Sequence, residues 1–223
     1  VISSGGPPPG TPYDAREAAA SRVLLESNGY AGTRQGARRA AESEHAVLRT
    51  AAFHLLAEDA QPEELELLRL GAADGEGSVR AWAAFGLEKL QPGAGIEVLR
   101  ELAGRQPQFA EYAPLIAAAA LARLGDPSGL ATVEDAMRSF DEPLPVVRSL
   151  YWFAPLGRAE LWPLYERALA DATPGVRPLA LLQLRQLPNP EVSSVLQRFL
   201  ATEPPGSADA ATAQGILAER ASS

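Results

Sequence analysis

His45 and His54 are the two histidines of the chain, nine residues apart in a stretch that reads as one helix. At about 100° per residue that spacing turns them to opposite sides, so they do not form a metal-binding pair. There is no cysteine, which removes disulfides, thiolate zinc sites and cysteine nucleophiles together. Serine hydrolysis finds no Gly-x-Ser-x-Gly elbow, and Gly93-Ala94-Gly95 is a turn between helices, not a phosphate-cradling loop. The carboxylate pairs Glu63-Glu64, Glu134-Asp135 and Asp141-Glu142 stand near helix N-termini, where negative charge favours the helix dipole and solvation. None of these groups points to acid-base catalysis, so neither enzymatic activity nor a cofactor is expected.

The residues suited to recognition are aromatic and cationic. Of 14 aromatics, five fall within 15 residues: Tyr151, Trp152, Phe153, Trp162 and Tyr165. Phe153 reads as core. Trp162 and Tyr165 lie three apart, offset from the apolar stripe Leu161, Leu164 and Ala168, and so are predicted to face away from the core. Arg100, Arg138, Arg167 and Arg198 occupy comparable segments beside acidic residues. Arg34, Arg38 and Arg39 form the basic cluster, with Glu42 at i+4 from Arg38 as partial compensation.

The elements that carry these side chains are helices throughout. From Tyr13 apolar residues recur at spacings of three and four among abundant Ala, Leu, Glu and Arg. Asn28-Gly29 closes the first helix and Gly125-Asp126-Pro127 separates two more. Thr173-Pro174 and Asn189-Pro190 read as N-caps followed by proline at the first helical position. Pro114, Pro145, Pro155 and Pro178 are expected to kink helices. An apolar or small residue, a following slot that is usually Arg, and an apolar residue eight positions on recur along the chain. The sets are Ala15-Arg16 with Val23, Leu48-Arg49 with Leu56, Val79-Arg80 with Leu87, Val147-Arg148, and Val176-Arg177 with Leu184. Ala113-Pro114 with Leu121 and Ala208-Asp209 with Ile216 fill the remaining slots, and successive anchors are 33, 31, 34, 34, 29 and 32 residues apart. A second amphipathic segment follows most anchor helices, among them Glu63 to Ala72 with Leu65, Leu68 and Leu70, and Ala159 to Ala170. Two helices per ~30 residues, repeated, make an α-solenoid.

Charge narrows the choice of partner. The net charge is −8, with 16 acids against 11 bases in residues 1–111 and 12 against 9 in residues 112–223. An evenly acidic surface disfavours nucleic acid and anionic membranes. No apolar run approaches the ~20 residues needed to cross a bilayer. Residues 1–12, rich in Gly and Pro, read as a tail or linker that is expected to rest on the solenoid or a partner, and 13–223 as the repeat body. The chain opens on Val1, not Met, which suggests a removed leader and an exported or cell-envelope protein, with the cytoplasm as the alternative.

The apolar-Arg pair with an acid about five positions earlier, as in Asp74 before Val79-Arg80 and Asp171 before Val176-Arg177, resembles the HEAT-repeat family. Leu121, Leu124 and Gly125-Asp126-Pro127 resemble its short branch, the PBS-lyase HEAT-like repeats. Pro114 and Asp209 in the Arg slot depart from the pattern. The resemblance implies an all-α superhelix of about six to seven antiparallel helix pairs. It also implies that Arg49, Arg80, Arg148 and Arg177 bridge adjacent repeats, and that the second helices line a concave binding face. On that reading the protein is a non-catalytic scaffold or accessory subunit of a larger complex. Trp162 and Tyr165 would be apolar anchors for a partner protein, and Arg100, Arg138, Arg167 and Arg198 would set polarity. The alternatives are a tetrapyrrole-binding, lyase-like protein and a nucleic-acid-binding HEAT-like protein.

Overall fold

A computed structural model describes residues 13–105, 112–139, 146–147, 149–150, 153, 159 and 161–222. The expectations for the 1–12 tail, Arg148, Tyr151, Trp152, Pro145, Pro155 and the side chain of Arg138 lie outside the described residues. Twelve α-helices are described, with no strand among the described residues: α1 Tyr13–Ser27, α2 Arg34–Ala40, α3 Ala46–Glu58, α4 Leu65–Gly71, α5 Gly77–Leu90, α6 Ile96–Ala103, α7 Ala113–Arg123, α8 Ser128–Ser139, α9 Leu161–Ala170, α10 Val176–Gln186, α11 Glu191–Thr202 and α12 Ala208–Ala221. This is the all-helical, paired arrangement of an α-solenoid. The chain divides into two compact units, Val1–Ala136 and Met137–Ser223.

In the first unit α1, α3, α5 and α7 pack on one another in succession, while α2 packs on α1 and α3, α4 on α5, and α6 on α5 and α7. Every residue of α7 from Ala113 to Ala122 is buried, as suits a helix of mostly Ala and Leu packed on α5 and α6. Gly86 permits the closeness of α3 and α5: a Cβ there would stand 3.0 Å from the Ala57 Cα. In the second unit α9 packs on α10 and α11, and α12 on both α10 and α11. Val146, Val147, Leu150 and Phe153 are buried helical residues.

The helix ends are built from sequence signals. Gly29 and Gly125 take positive φ of 82° and 88°, and the following amides of Tyr30 and Asp126 donate back to the Leu25 and Leu121 carbonyls at 3.0 and 2.9 Å. Thr33 and Ser207 cap α2 and α12 by accepting from the Gly36 and Ala210 amides. Two N-cap expectations are corrected. The N-cap of α10 is Gly175 at φ 88°, not Thr173, and Pro190 is itself the N-cap of α11, with Asn189 Oδ1 accepting from the Glu191 amide at 2.9 Å. Pro114 and Pro178 lie in the first turns of α7 and α10, where an amide has no helical acceptor to lose, so neither interrupts a helix ladder.

Register expectations hold at Leu48, Val79, Val147 and Val176 and at Leu56, Leu87, Leu121, Leu184 and Ile216, all buried. They fail at the ends of the chain. Val23 is 59% exposed while Leu25 is fully buried, so α1 is turned by two positions from the assumed register. Ala208 is exposed, and α12 buries Ala210 and Ala213 beside the expected Ile216. Among the described helices α1 packs on α2 and α3, and α12 on α10 and α11. Leu70, placed with Leu65 and Leu68 in the core stripe of α4, is 72% exposed.

Cations tie consecutive repeats. Arg49 donates through Nε and Nη2 to both carboxylate oxygens of Asp74 at 2.8 and 2.9 Å, and through Nη1 to the Ser43 and Glu44 carbonyls. Arg80 reaches the Asp74 and Gly75 carbonyls, and Arg177 reaches the Asp171 carbonyl and, 3.2 Å away, Glu203. The residues expected to bridge repeats therefore do so wherever they are described, except that Arg80 is bound to its own loop. A second device caps helix C-termini. Lys89 donates to the Ala57 and Glu58 carbonyls at the end of α3, and Arg220 to the Leu187 and Asn189 carbonyls just past α10. A cation at that end offsets the helix dipole. Arg220 has no carboxylate partner among its described bonds, and burial lowers its guanidinium below the ordinary value.

Candidate partner-binding groove

Within the second unit, α9 and α11 are successive second helices lying side by side. Two contiguous cavities lie along them, of about 510 and 370 Å³, sharing Glu166 and Arg198. The first is lined by Trp162, Pro163, Asn189 and Glu191 in addition to that pair, and the second by Leu169, Val195, Phe199 and the Arg177–Glu203 pair. Leu169, Val195 and Phe199 give an apolar floor, since each is buried at 8% exposure or less. Arg198 crosses between the two helices. Its Nε donates to Glu166 Oε1 at 2.6 Å and its Nη2 to Glu191 Oε1 at 3.3 Å. These hydrogen bonds raise the Arg198 guanidinium above its ordinary value, the Glu166 bond first.

The aromatic anchors are corrected in part. Tyr165 is fully buried; its hydroxyl donates to Gln183 Oε1 at 3.1 Å, and the Gln183 amide donates to the Val147 carbonyl at 3.0 Å. Trp162 is 7% exposed and stacked on Tyr165 with ring centroids 6.3 Å apart, yet it lines the first cavity. Because α9 meets both α10 and α11, its buried arc takes in Trp162, Tyr165 and Leu169 as well as Leu161, Leu164 and Ala168. A single stripe beside one neighbour would have left the aromatics outside. Arg167 is exposed on the same helix. Arg100 belongs to the first unit, where it bonds Glu97 at 2.8 Å and Asp126 at 2.9 Å. Asn189 and Glu191 were missed by the sequence reading. The signal available for Glu191 was its place at the start of the helix that carries Arg198, seven residues before it.

A second polar constellation is buried in the first unit. His54, 5% exposed, has Ser21 Oγ 2.8 Å from Nδ1, Glu58 Oε1 3.6 Å from Nε2, and the Trp82 ring at a centroid distance of 4.3 Å. Serine, histidine and carboxylate in a row suggest nucleophile activation. Arg123, however, chelates both oxygens of Glu58 at 2.7 Å and lies 4.5 Å over the Phe85 ring, so the carboxylate is already committed to a guanidinium. Burial pushes the Glu58 carboxyl up, but the bonds from Arg123 and His54 outweigh it and hold the group at about 2. The set ties α1, α3, α5 and α7 together.

The clearest repeat in this fold is the α5–α6 pair, with Val79 buried and the Arg80 side chain bonded to the preceding loop. Residues 79–104 match the PBS lyase HEAT-like repeat. The HEAT-like repeat so defined runs from the first turn of α5 to the residue after α6. Its Arg100 is held on Asp126, the acid of the next Gly-Asp-Pro turn, as Arg49 is held on Asp74. No curated protein matches the sequence. Among the described residues no helix is long and apolar enough to cross a membrane.

Proposed function

We propose that this helical repeat protein is a non-catalytic interaction scaffold or accessory subunit that holds a partner protein along the groove between α9 and α11, the second-helix side. The observation that supports it is the groove itself. An apolar floor of Leu169, Val195 and Phe199 lies beneath a charged rim of Glu166, Glu191 and Arg198, with aromatic support from Trp162. Apolar floors ringed by polar groups are how protein surfaces anchor extended segments. HEAT-like repeats commonly mediate protein interactions, and one such repeat is present at residues 79–104. Duplex binding has no comparable support, because Arg34 and Arg38 of the basic cluster are committed to Glu64 and Asp59.

The test is affinity capture from the native source with the wild type, a rim variant Glu191→Ala/Arg198→Ala, and a control, Leu182→Ala, at a 53% exposed site away from the groove. A partner retained by wild type and control but lost from the rim variant supports the reading. Equal retention by all three would move binding off the groove and defeat it.

A further inference from the structure

The two ends of the groove differ in charge, and the difference selects an occupant. At the Phe199 end Arg177 and Glu203 balance one another. At the Trp162 end Arg198 is shared between Glu166 and Glu191 and is the only cation among the described residues lining that cavity. Among the described lining residues, two carboxylates against one guanidinium leave a net negative charge beside an indole and the ring of Pro163. Both carboxylate side chains are 40% or 41% exposed, so water is the rest of their solvation. A guanidinium or ammonium group entering the cavity would replace that water with a charge-assisted bond.

Resting on the groove reading above, we infer that the Trp162 end receives a cationic side chain, arginine or lysine, from an extended segment of a basic partner protein, whose neighbouring apolar residue lies over Leu169, Val195 and Phe199. A chain of net charge −8 also steers basic partners toward itself. The bound cation joins Arg198 in neutralising Glu166 and Glu191, so the charges of the described groove residues are then paired.

The experiment uses two fluorescein-labelled ten-residue peptides, one alternating Arg and Leu and one alternating Glu and Leu, with the full chain in fluorescence anisotropy. The Arg-Leu peptide is expected to bind, and Glu166→Gln/Glu191→Gln to weaken it by about tenfold. Glu63→Gln/Glu66→Gln removes the same formal charge from an exposed site in the first unit and is expected to change affinity less than about twofold. Unchanged circular-dichroism melting of both variants keeps the comparison clean. Absence of Arg-Leu binding, or equal weakening by the two double variants, overturns the inference. An Ala170→Trp change that fills the second cavity separates this failure from failure of the groove. Glu-Leu binding abolished by Ala170→Trp overturns the cationic occupant and leaves the groove standing. Arg-Leu binding indifferent to Ala170→Trp and to the Glu166/Glu191 change overturns both.

Discussion

The two units use the same chemistry, an arginine shared with carboxylates, to different ends. In the first unit the Arg123–Glu58 pair is 15% and 17% exposed, lies against His54 and the Phe85 ring, and joins residues 65 apart in the chain. In the second unit Arg198 is 53% exposed, with Glu166 and Glu191 at 40% and 41%, and lies across a cavity. Burial decides what such a pair does. A buried pair that loses one member leaves an unpaired charge in a medium that solvates it poorly, whereas an exposed pair is largely replaceable by water. The first arrangement is a structural tie; the second is a polar surface still open to a partner.

The strongest way to break that contrast is Arg123→Ala, which is expected to cost about 3–5 kcal/mol by leaving Glu58 buried without its chelating cation. Thermal or urea unfolding of this variant beside Arg198→Ala, for which no shift of midpoint is expected, checks it. Equal effects would mean that exposure does not separate the two sites. Acid comes next. The folded value of Glu58, about 2, lies below its ordinary 4.5, so its contribution is complete above the ordinary value and is lost as pH falls through 4.5 toward 2. That loss amounts to about 3 kcal/mol, and Glu58→Gln should flatten the pH dependence of stability by the same amount in urea titrations between pH 5 and 2. The smallest effect sharpens the second unit. Tyr165→Phe removes the hydroxyl that satisfies Gln183 and is expected to cost about 1–2 kcal/mol, read as a lower unfolding midpoint with groove binding retained. Binding lost from a folded Tyr165→Phe chain would instead put Tyr165 at the surface.

How far the sequence reached follows from which neighbours each residue needed. The anchors of the first helices, Leu48, Val79 and Val176, are buried as their period requires, because a first helix in mid-stack has a first helix on either side or nearly so. Val23 escaped that logic because α1, packed on α2 and α3, turns Leu25 inward instead. Leu70 escaped it because α4 is short and its buried side is taken by Leu68 and Gly71. The Arg49–Asp74 tie was legible, since the resemblance supplied an Arg and an acid bridging adjacent repeats, whereas the Arg100–Asp126 tie was not, because Arg100 was read as a partner contact.

By itself, the sequence determined the helical fold, the ~30-residue repeat, the absence of thiol chemistry and the acidic surface, since these rest on local periodicity and composition. The tertiary structure alone decided that Tyr165 is core and that Trp162 is a cavity wall. It also decided that Glu166 and Glu191 converge on one guanidinium. Those outcomes depend on α10 and α11 arriving on two sides of α9. A tyrosine hydroxyl can be buried only when another segment, here Gln183, brings an acceptor within reach.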